Sequence, residues 1–146
     1  SMGRLFDAVS SLGGFVKNLD YEGQGGMVME GFVDESISEP FGYDVVDGVV
    51  DCAEMIRQIV ELSSCGDAKR QIASRFIATI ARIMGDFAER YPHLPIVIGG
   101  GVFQNRALME RLYRRVTQRS FFAPKRTPIN DGGIALGQAW GASLAG

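Results

Sequence analysis

Two stretches in the C-terminal half hold the residues best suited to chemistry. The first is an apolar run that breaks into glycines, Ile96-Val97-Ile98-Gly99-Gly100-Gly101, and continues as Val102-Phe103-Gln104-Asn105. The second is Asn130-Asp131-Gly132-Gly133, set directly before Ile134-Ala135-Leu136-Gly137-Gln138-Ala139. Both read as junctions at which a strand or loop gives way to a helix. The first turn of a helix exposes unpaired N–H groups and a partial positive charge, which suits a phosphate, a carboxylate or a metal-bound anion. Glycine lets such a ligand approach the main chain. A glycine cluster after a strand is also an ordinary tight turn, and Asn-Asp-Gly is a common cap and turn sequence. The glycines are contiguous, so this is no G-x-G-x-x-G dinucleotide fingerprint, and no Gly-Lys-Ser/Thr follows to make a P-loop.

The elements that must position these junctions follow from the apolar spacing. Residues 95–98 read as a short strand of the kind buried on both faces of a parallel sheet. A helix over 103–118, a second strand over 120–123 and a final helix over 132–144 complete a β-α-β-α unit. Its right-handed crossover lays the two strands parallel, so that both helix starts face the carboxyl edge, where ligands of open α/β sheets bind. The final helix carries Ala135, Gly137, Ala139, Gly141 and Ala142, small residues that permit close backbone approach.

Upstream, Leu5, Phe6, Val9 and Leu12 predict a helix from about residue 3 that stops at Gly13-Gly14. It leaves Asp7 opposite or oblique to the apolar stripe, readable as a first-turn carboxylate favoured by the helix dipole. Tyr21-Glu22-Gly23-Gln24-Gly25-Gly26 reads as a glycine-rich loop, either merely flexible or pressed against a ligand's sugar, whose hydroxyls its carboxylates would accept. Residues 34–44 read as a connector. The recurrence of Val45, Val46, Val49, Val50, Ala53, Ile56, Ile59 and Val60 predicts one helix over 45–62. Another is expected over 68–91, with Ile72, Phe76, Ile80, Ile83, Met84 and Phe87 on one side, closed by Pro92. His93, in the turn beyond, is expected to be exposed.

With 146 residues and 46% hydrophobic content, the chain suffices for one domain. Net charge is −2 and basic blocks are short, which argues against nucleic acid as a partner. Arg111, Arg114, Arg115, Arg119, Lys125 and Arg126 are the exception, expected as a solvated face, with a docking or phosphate-facing patch as the alternative. There is no apolar run long enough to span a membrane and no signal-peptide pattern, so a cytosolic, or cytoplasmic, location is expected. Cys52 and Cys65 are expected as reduced, buried thiols. With His93 the only histidine, a closed metal site cannot be built from this chain alone.

Taken together, Ser1-Met2-Gly3-Arg4-Leu5-Phe6-Asp7-Ala8-Val9, Tyr21-Glu22-Gly23-Gln24, Gly100-Gly101-Val102-Phe103-Gln104-Asn105 and Asn130-Asp131-Gly132-Gly133-Ile134-Ala135-Leu136-Gly137-Gln138 closely resemble the C-terminal part of the HypF family, the carbamoyltransferases of [NiFe]-hydrogenase maturation. The resemblance implies a helix-rich α/β fold, a partial second lobe of the actin/Hsp70-like (ASKHA, TsaD-like) fold with two or three short strands, the core two parallel. It implies ATP or carbamoyl-adenylate in a cleft between two lobes, a divalent metal (zinc, or iron or magnesium) beside it, and transfer of the carbamoyl group to the C-terminal cysteine thiol of HypE. By position, Gly100, Gly101 and Asn105 match an adenosine-binding motif, Asp7 an aspartate that faces the ribose, and Asp131 a metal-coordinating and catalytic aspartate. Gly23 and Glu30 match a ribose-contacting loop and acid.

Departures from the family pattern are Ile77, where its IA-x-RFH motif has histidine, and Gly25-Gly26, where alanines are usual. The first-lobe histidine motif and the acylphosphatase, zinc-finger and YrdC-like regions have no counterpart, which implies a piece of a larger HypF, partnered by its remaining domains and with little or no activity by itself. Rival expectations are a TsaD-like threonylcarbamoyl transferase or sugar-kinase-like lobe, and a non-enzymatic interaction module that forms a homodimer through an uncovered sheet edge.

Overall fold

The computed structural model describes residues 1–145, and its core is built around the longest helix. The chain forms α1 (Met2–Leu12), α2 (Gln24–Glu30), an antiparallel hairpin of β1 (Asp44–Val46) and β2 (Val49–Asp51), α3 (Ala53–Leu62), α4 (Ala68–Glu89), β3 (Ile96–Val97), α5 (Arg106–Arg115), β4 (Phe121–Phe122) and α6 (Ile134–Ala145). A 3₁₀ turn precedes each of the last two helices, Gly101–Gln104 before α5 and Asp131–Gly133 before α6. The helix-rich α/β class is as expected, and β3 and β4 pair in parallel with Ile96 opposite Phe121 and Val97 opposite Phe122.

α4 presents Ile72, Phe76, Ile77 and Ile80 to a core completed by Phe6 and Val9 of α1, Met29 of α2, Phe41, and Met55 and Ile59 of α3. Phe76 meets Phe6 edge-on at 4.8 Å between ring centroids, the geometry that aromatic quadrupoles favour. Ile77 is fully buried here, so the position where the family has histidine is an apolar core site in this chain. A second, smaller cluster of Ile98, Leu112 and Val116 fastens α5 to the parallel pair.

The connector between α2 and β1 is held to α4 by buried hydroxyls. The backbone N–H of Asp34 donates to Ser74 Oγ and that of Phe41 to Thr79 Oγ1, each at 2.8 Å. Without them these N–H groups would lie against the core unpaired, at a cost of about 1–3 kcal/mol each.

Several expectations are corrected. Residues 45–62 are a hairpin followed by a helix, because Asp47 (φ 51°) and Gly48 (φ 79°) form a two-residue turn with left-handed dihedrals, the conformation that matches the twist of paired strands. Residues 24–30 are a helix despite glycines at 25 and 26. A Cβ on Gly25 would lie 2.8 Å from Ser10 Cβ, so glycine at 25 lets α2 close onto α1. The strand over 95–98 is buried on one side only, for Val97 is 73% exposed while Ile98 lies in the core. α6 buries none of its residues among the described part of the chain, and Trp140 and Leu144 are 67% and 72% exposed. Cys65 is exposed and Cys52 half-buried, against the expectation of two buried thiols. His93 is exposed, as expected.

The arginines of α5 and its C-terminal end are mostly engaged within the fold. Arg111 donates to the carbonyls of Asp34 and Ile37 at 3.0 and 2.9 Å, and Arg114 pairs with Glu35 at 2.9 Å. Arg115 crosses α4 over Gly85 to reach Asp86, and Arg119 caps the end of α4 through Ala88 and Tyr91 carbonyls, both at 2.8 Å. Most of the cluster thus ties α5 to the connector and to α4. Lys125 and Arg126 are exposed beyond it.

Candidate functional site

The residues at which both junctions converge are set by the parallel pair. The backbone N–H of Gly100 donates to the Ile129 carbonyl at 2.6 Å, so the chain leaving β3 is fixed against the chain approaching Asp131. Gly100 has φ 113° and ψ 156°, a region in which a side chain is strained and glycine is all but required. Across the gap, the Asn130 side chain accepts from the Gly132 N–H at 3.1 Å and folds the second junction into a tight turn. Gly133 lies so close to Pro128 that a Cβ would meet its carbonyl oxygen at 2.8 Å.

Between these turns, α1 and the start of α2 lies a cleft of about 880 Å³, a size typical of sites for nucleotide-sized ligands. Asp7, Gly23, Glu30, Gly100, Gly101, Asn105 and Asp131 all line it. Residues separated by more than 120 positions in sequence thus share one wall system, assembled because α1 packs on α2 and on the 3₁₀ turn Gly101–Gln104.

What these side chains do in the fold differs from one to the next. Asp7 lies in the second turn of α1, past the first-turn position considered from sequence, and its carboxylate makes no hydrogen bond or ion pair among the described residues. Asp131 is exposed at the mouth of the cleft and equally unengaged. Gly23 takes a left-handed conformation, φ 81°, at the N-cap of α2. Asn105 and Glu30, by contrast, are already in use. Asn105 Oδ1 accepts from the Leu108 N–H at 2.9 Å as the N-cap of α5, and its Nδ2 donates to the Gly26 carbonyl at 3.3 Å. Glu30 Oε1 accepts from the N–H groups of Arg106 and Ala107 at 2.7 and 3.2 Å.

The helix start expected from sequence to attract an anionic ligand is therefore filled by the protein's own carboxylate. Glu30 is the residue whose part in the site the spacing did not reveal. An acid 76 positions upstream of a helix gives no local capping signal, and Asn105, which lies inside the span 103–118 expected to be helical, is instead the N-cap of a helix that begins at Arg106.

As to a metal, no three His, Cys, Asp or Glu side chains among the described residues are grouped to hold one. Asp131 alone offers a single carboxylate. The residues present do not make a metal centre, and an ion here would need ligands from elsewhere.

The fold and cleft together define an α/β lobe with an open cleft at the carboxyl edge of a parallel strand pair, lined by two aspartates that make no hydrogen bond or ion pair among the described residues. Residues 1–138 match the family described as carbamoyltransferase, Kae1-like domain, second subdomain, and the chain belongs to that family. It is similar to the carbamoyltransferase HypF of Rhizobium leguminosarum bv. viciae, with 36% identity over 94% of this chain and 19% of the relative. It is also similar to that of Rhodobacter capsulatus, with 31% identity over 95% of this chain and 19% of the relative. A HypF homolog of Cupriavidus necator is 30% identical over 98% of this chain and 40% of its own length. Among solved structures, full-length HypF in the phosphate- and nucleotide-bound form superposes with a TM-score of 0.86 at 34% identity, covering 95% of this chain and 20% of that one. T. kodakarensis HypF shares the fold, with a TM-score of 0.78 at 24% identity, over 99% of this chain and 20% of that one. The chain thus spans about a fifth of the length of most of these relatives. Among the described residues no helix is long and apolar enough to cross a membrane.

Proposed function

We propose that this chain forms the nucleotide-facing wall of the carbamoyl-transfer site in a HypF-type carbamoyltransferase. The ligand of the cleft is ATP or a carbamoyl-adenylate, and the carbamoyl group passes to the C-terminal cysteine thiol of HypE. Attack of that thiolate on the carbamoyl carbon forms the C–S bond, breaks the bond to the phosphoryl oxygen, and releases AMP. The observation that carries this reading is the convergence of Asp7, Gly23, Gly100, Gly101 and Asp131 on one cleft of about 880 Å³, together with the family to which residues 1–138 belong. That a relative of similar fold has been solved with nucleotide and phosphate bound lends further support.

In this reading the glycine turn brings backbone N–H groups up to the adenosine, and Asp7, free of partners, accepts from the ribose hydroxyls. Asn105 and Glu30 act one step removed. By accepting from the N–H groups of the first turn of α5, with Asn105 also bonded to the Gly26 carbonyl, they hold α2 against the start of α5, and so set the width of the cleft. Asp131 would supply one ligand to a divalent ion completed from outside this chain; such an ion would polarise the carbamoyl carbonyl. Neither Cys52 nor Cys65 lines the cleft, in keeping with an acceptor thiol that belongs to a partner. The apolar residues that α6 leaves exposed, Trp140 and Leu144 among them, are where the remaining domains of such an enzyme would pack.

Asp7 provides the direct test, since the fold does not use its carboxylate. Asp7→Ala is expected to weaken adenosine binding roughly tenfold, the loss of a hydrogen bond to a charged group, with the unfolding temperature unchanged. Calorimetric titration of adenosine into both proteins measures it. Equal affinities would remove Asp7 from the site.

A further inference from the structure

The charges around the cleft are lopsided. Asp7, Glu22, Glu30 and Asp131 line it with four carboxylates, and the only cationic side chain among the described lining residues is Arg4. The positive end of α5, which would ordinarily offset such a field, is already covered by Glu30. Arg4 is exposed in the first helical turns of α1, one turn before Asp7, and forms no hydrogen bond or ion pair among the described residues. Its guanidinium does nothing for the fold, whereas most of the arginines of α5 and its C-terminal end are committed to a carbonyl or carboxylate. α1 also packs against the Gly101–Gln104 turn, and Arg4 lines the same cleft as Gly99, Gly100 and Gly101.

From this we infer that Arg4 is the phosphate-binding residue of the cleft, pairing through its planar fork of N–H donors with the phosphoryl oxygens of an adenylate. The inference rests on the nucleotide reading above and adds the polarity of the bound ligand. Asp7 takes the sugar hydroxyls and Arg4, three residues or about 4.5 Å back along the same helix, takes the 5′-phosphate. A guanidinium suits this role because it meets phosphate oxygens in pairs and keeps its charge at any physiological pH. Its second effect is to offset carboxylates that would otherwise repel an anionic ligand, so that charge selection in this acidic cleft depends on one residue.

Titrating adenosine and AMP into the chain and its variants separates the possibilities. The wild-type chain should bind AMP more tightly than adenosine. Arg4→Gln should cost AMP roughly tenfold or more, bringing it level with or below adenosine, whose own affinity stays unchanged. Arg4→Lys should recover part of the AMP preference. The inference is overturned if the wild type shows no preference for AMP, if the preference survives Arg4→Gln, or if Arg4→Gln weakens both ligands alike. Binding of neither ligand by the wild type would instead overturn the nucleotide reading itself. Should Arg4→Gln fail to fold, the wild type decides the matter, because an AMP preference carried by one exposed guanidinium must shrink as salt is raised, and a salt-independent preference contradicts it.

Discussion

Replacing Asp131 with alanine in a HypF-type carbamoyltransferase that carries this segment is expected to abolish most carbamoyl transfer while leaving the protein folded. The side chain makes no hydrogen bond or ion pair among the described residues, so its removal leaves no buried partner stranded. What is lost is a carboxylate at the mouth of the cleft. Removing groups that only orient a metal's ligands costs about 10–100-fold in activity or metal affinity, and if Asp131 supplies a ligand as proposed, its loss should exceed that. The rate of HypE thiocarbamoylation is therefore expected to fall by more than about 100-fold, with an unchanged unfolding temperature as the control. An unaltered rate would take Asp131 out of the mechanism and leave the second junction as a structural turn, while the nucleotide reading of the first junction would still stand or fall on its own tests.

The largest effect on stability is expected at Phe76→Ala. Phe76 is fully buried in the middle of α4 and packs edge-on against Phe6, so it joins the central helix to α1, the helix that carries Asp7 and Arg4. Truncating a buried phenylalanine costs about 3–5 kcal/mol, a large share of the 5–15 kcal/mol that keeps a domain folded. The unfolding midpoint should drop on the order of 10 °C, read by circular dichroism or by urea titration. A loss below about 1 kcal/mol would mean that α1 is not held to the core as the structure shows. The same substitution should loosen the cleft, since one of its walls is α1.

The parts of this architecture that were legible in the sequence are those in which a single physical cause acts locally. α4 was plain because Ile72, Phe76, Ile80 and Ile83 repeat at the helical period and all four are buried. The parallel pair followed from two short apolar runs on either side of a helix, and the glycine turn stood out as a contiguous cluster after a strand, within which Gly100 takes a conformation that all but demands glycine. The hairpin was missed because Val45, Val46, Val49 and Val50 fall at a helical spacing and show no strand alternation. The deciding signal was Asp47-Gly48, whose left-handed dihedrals close a two-residue turn. α2 was missed because its glycines disfavour a helix locally, and only contact with Ser10 of α1 makes glycine the fitting residue at 25.

At the site the same division holds. Each motif could be found, but the use of Glu30 as the cap of α5 depends on a contact made across 76 positions, and no pattern within a window could show it. The exposure of α6 was equally hidden, since a helix rich in alanine and glycine reads as one that packs closely, yet none of its residues is buried among the described part of the chain.

Whether the cleft takes an adenine nucleotide is measured most directly by backbone-amide NMR of the chain titrated with AMP. The expected result is a set of saturable shifts confined to the first two turns of α1, to Gly23, to Gly99, Gly100 and Gly101, and to Asp131 and Gly132, with the hairpin of β1 and β2 and the exposed face of α6 unmoved. Absence of saturable shifts at millimolar AMP, or shifts centred on α5 and Arg119 in place of the glycine turn, would contradict it.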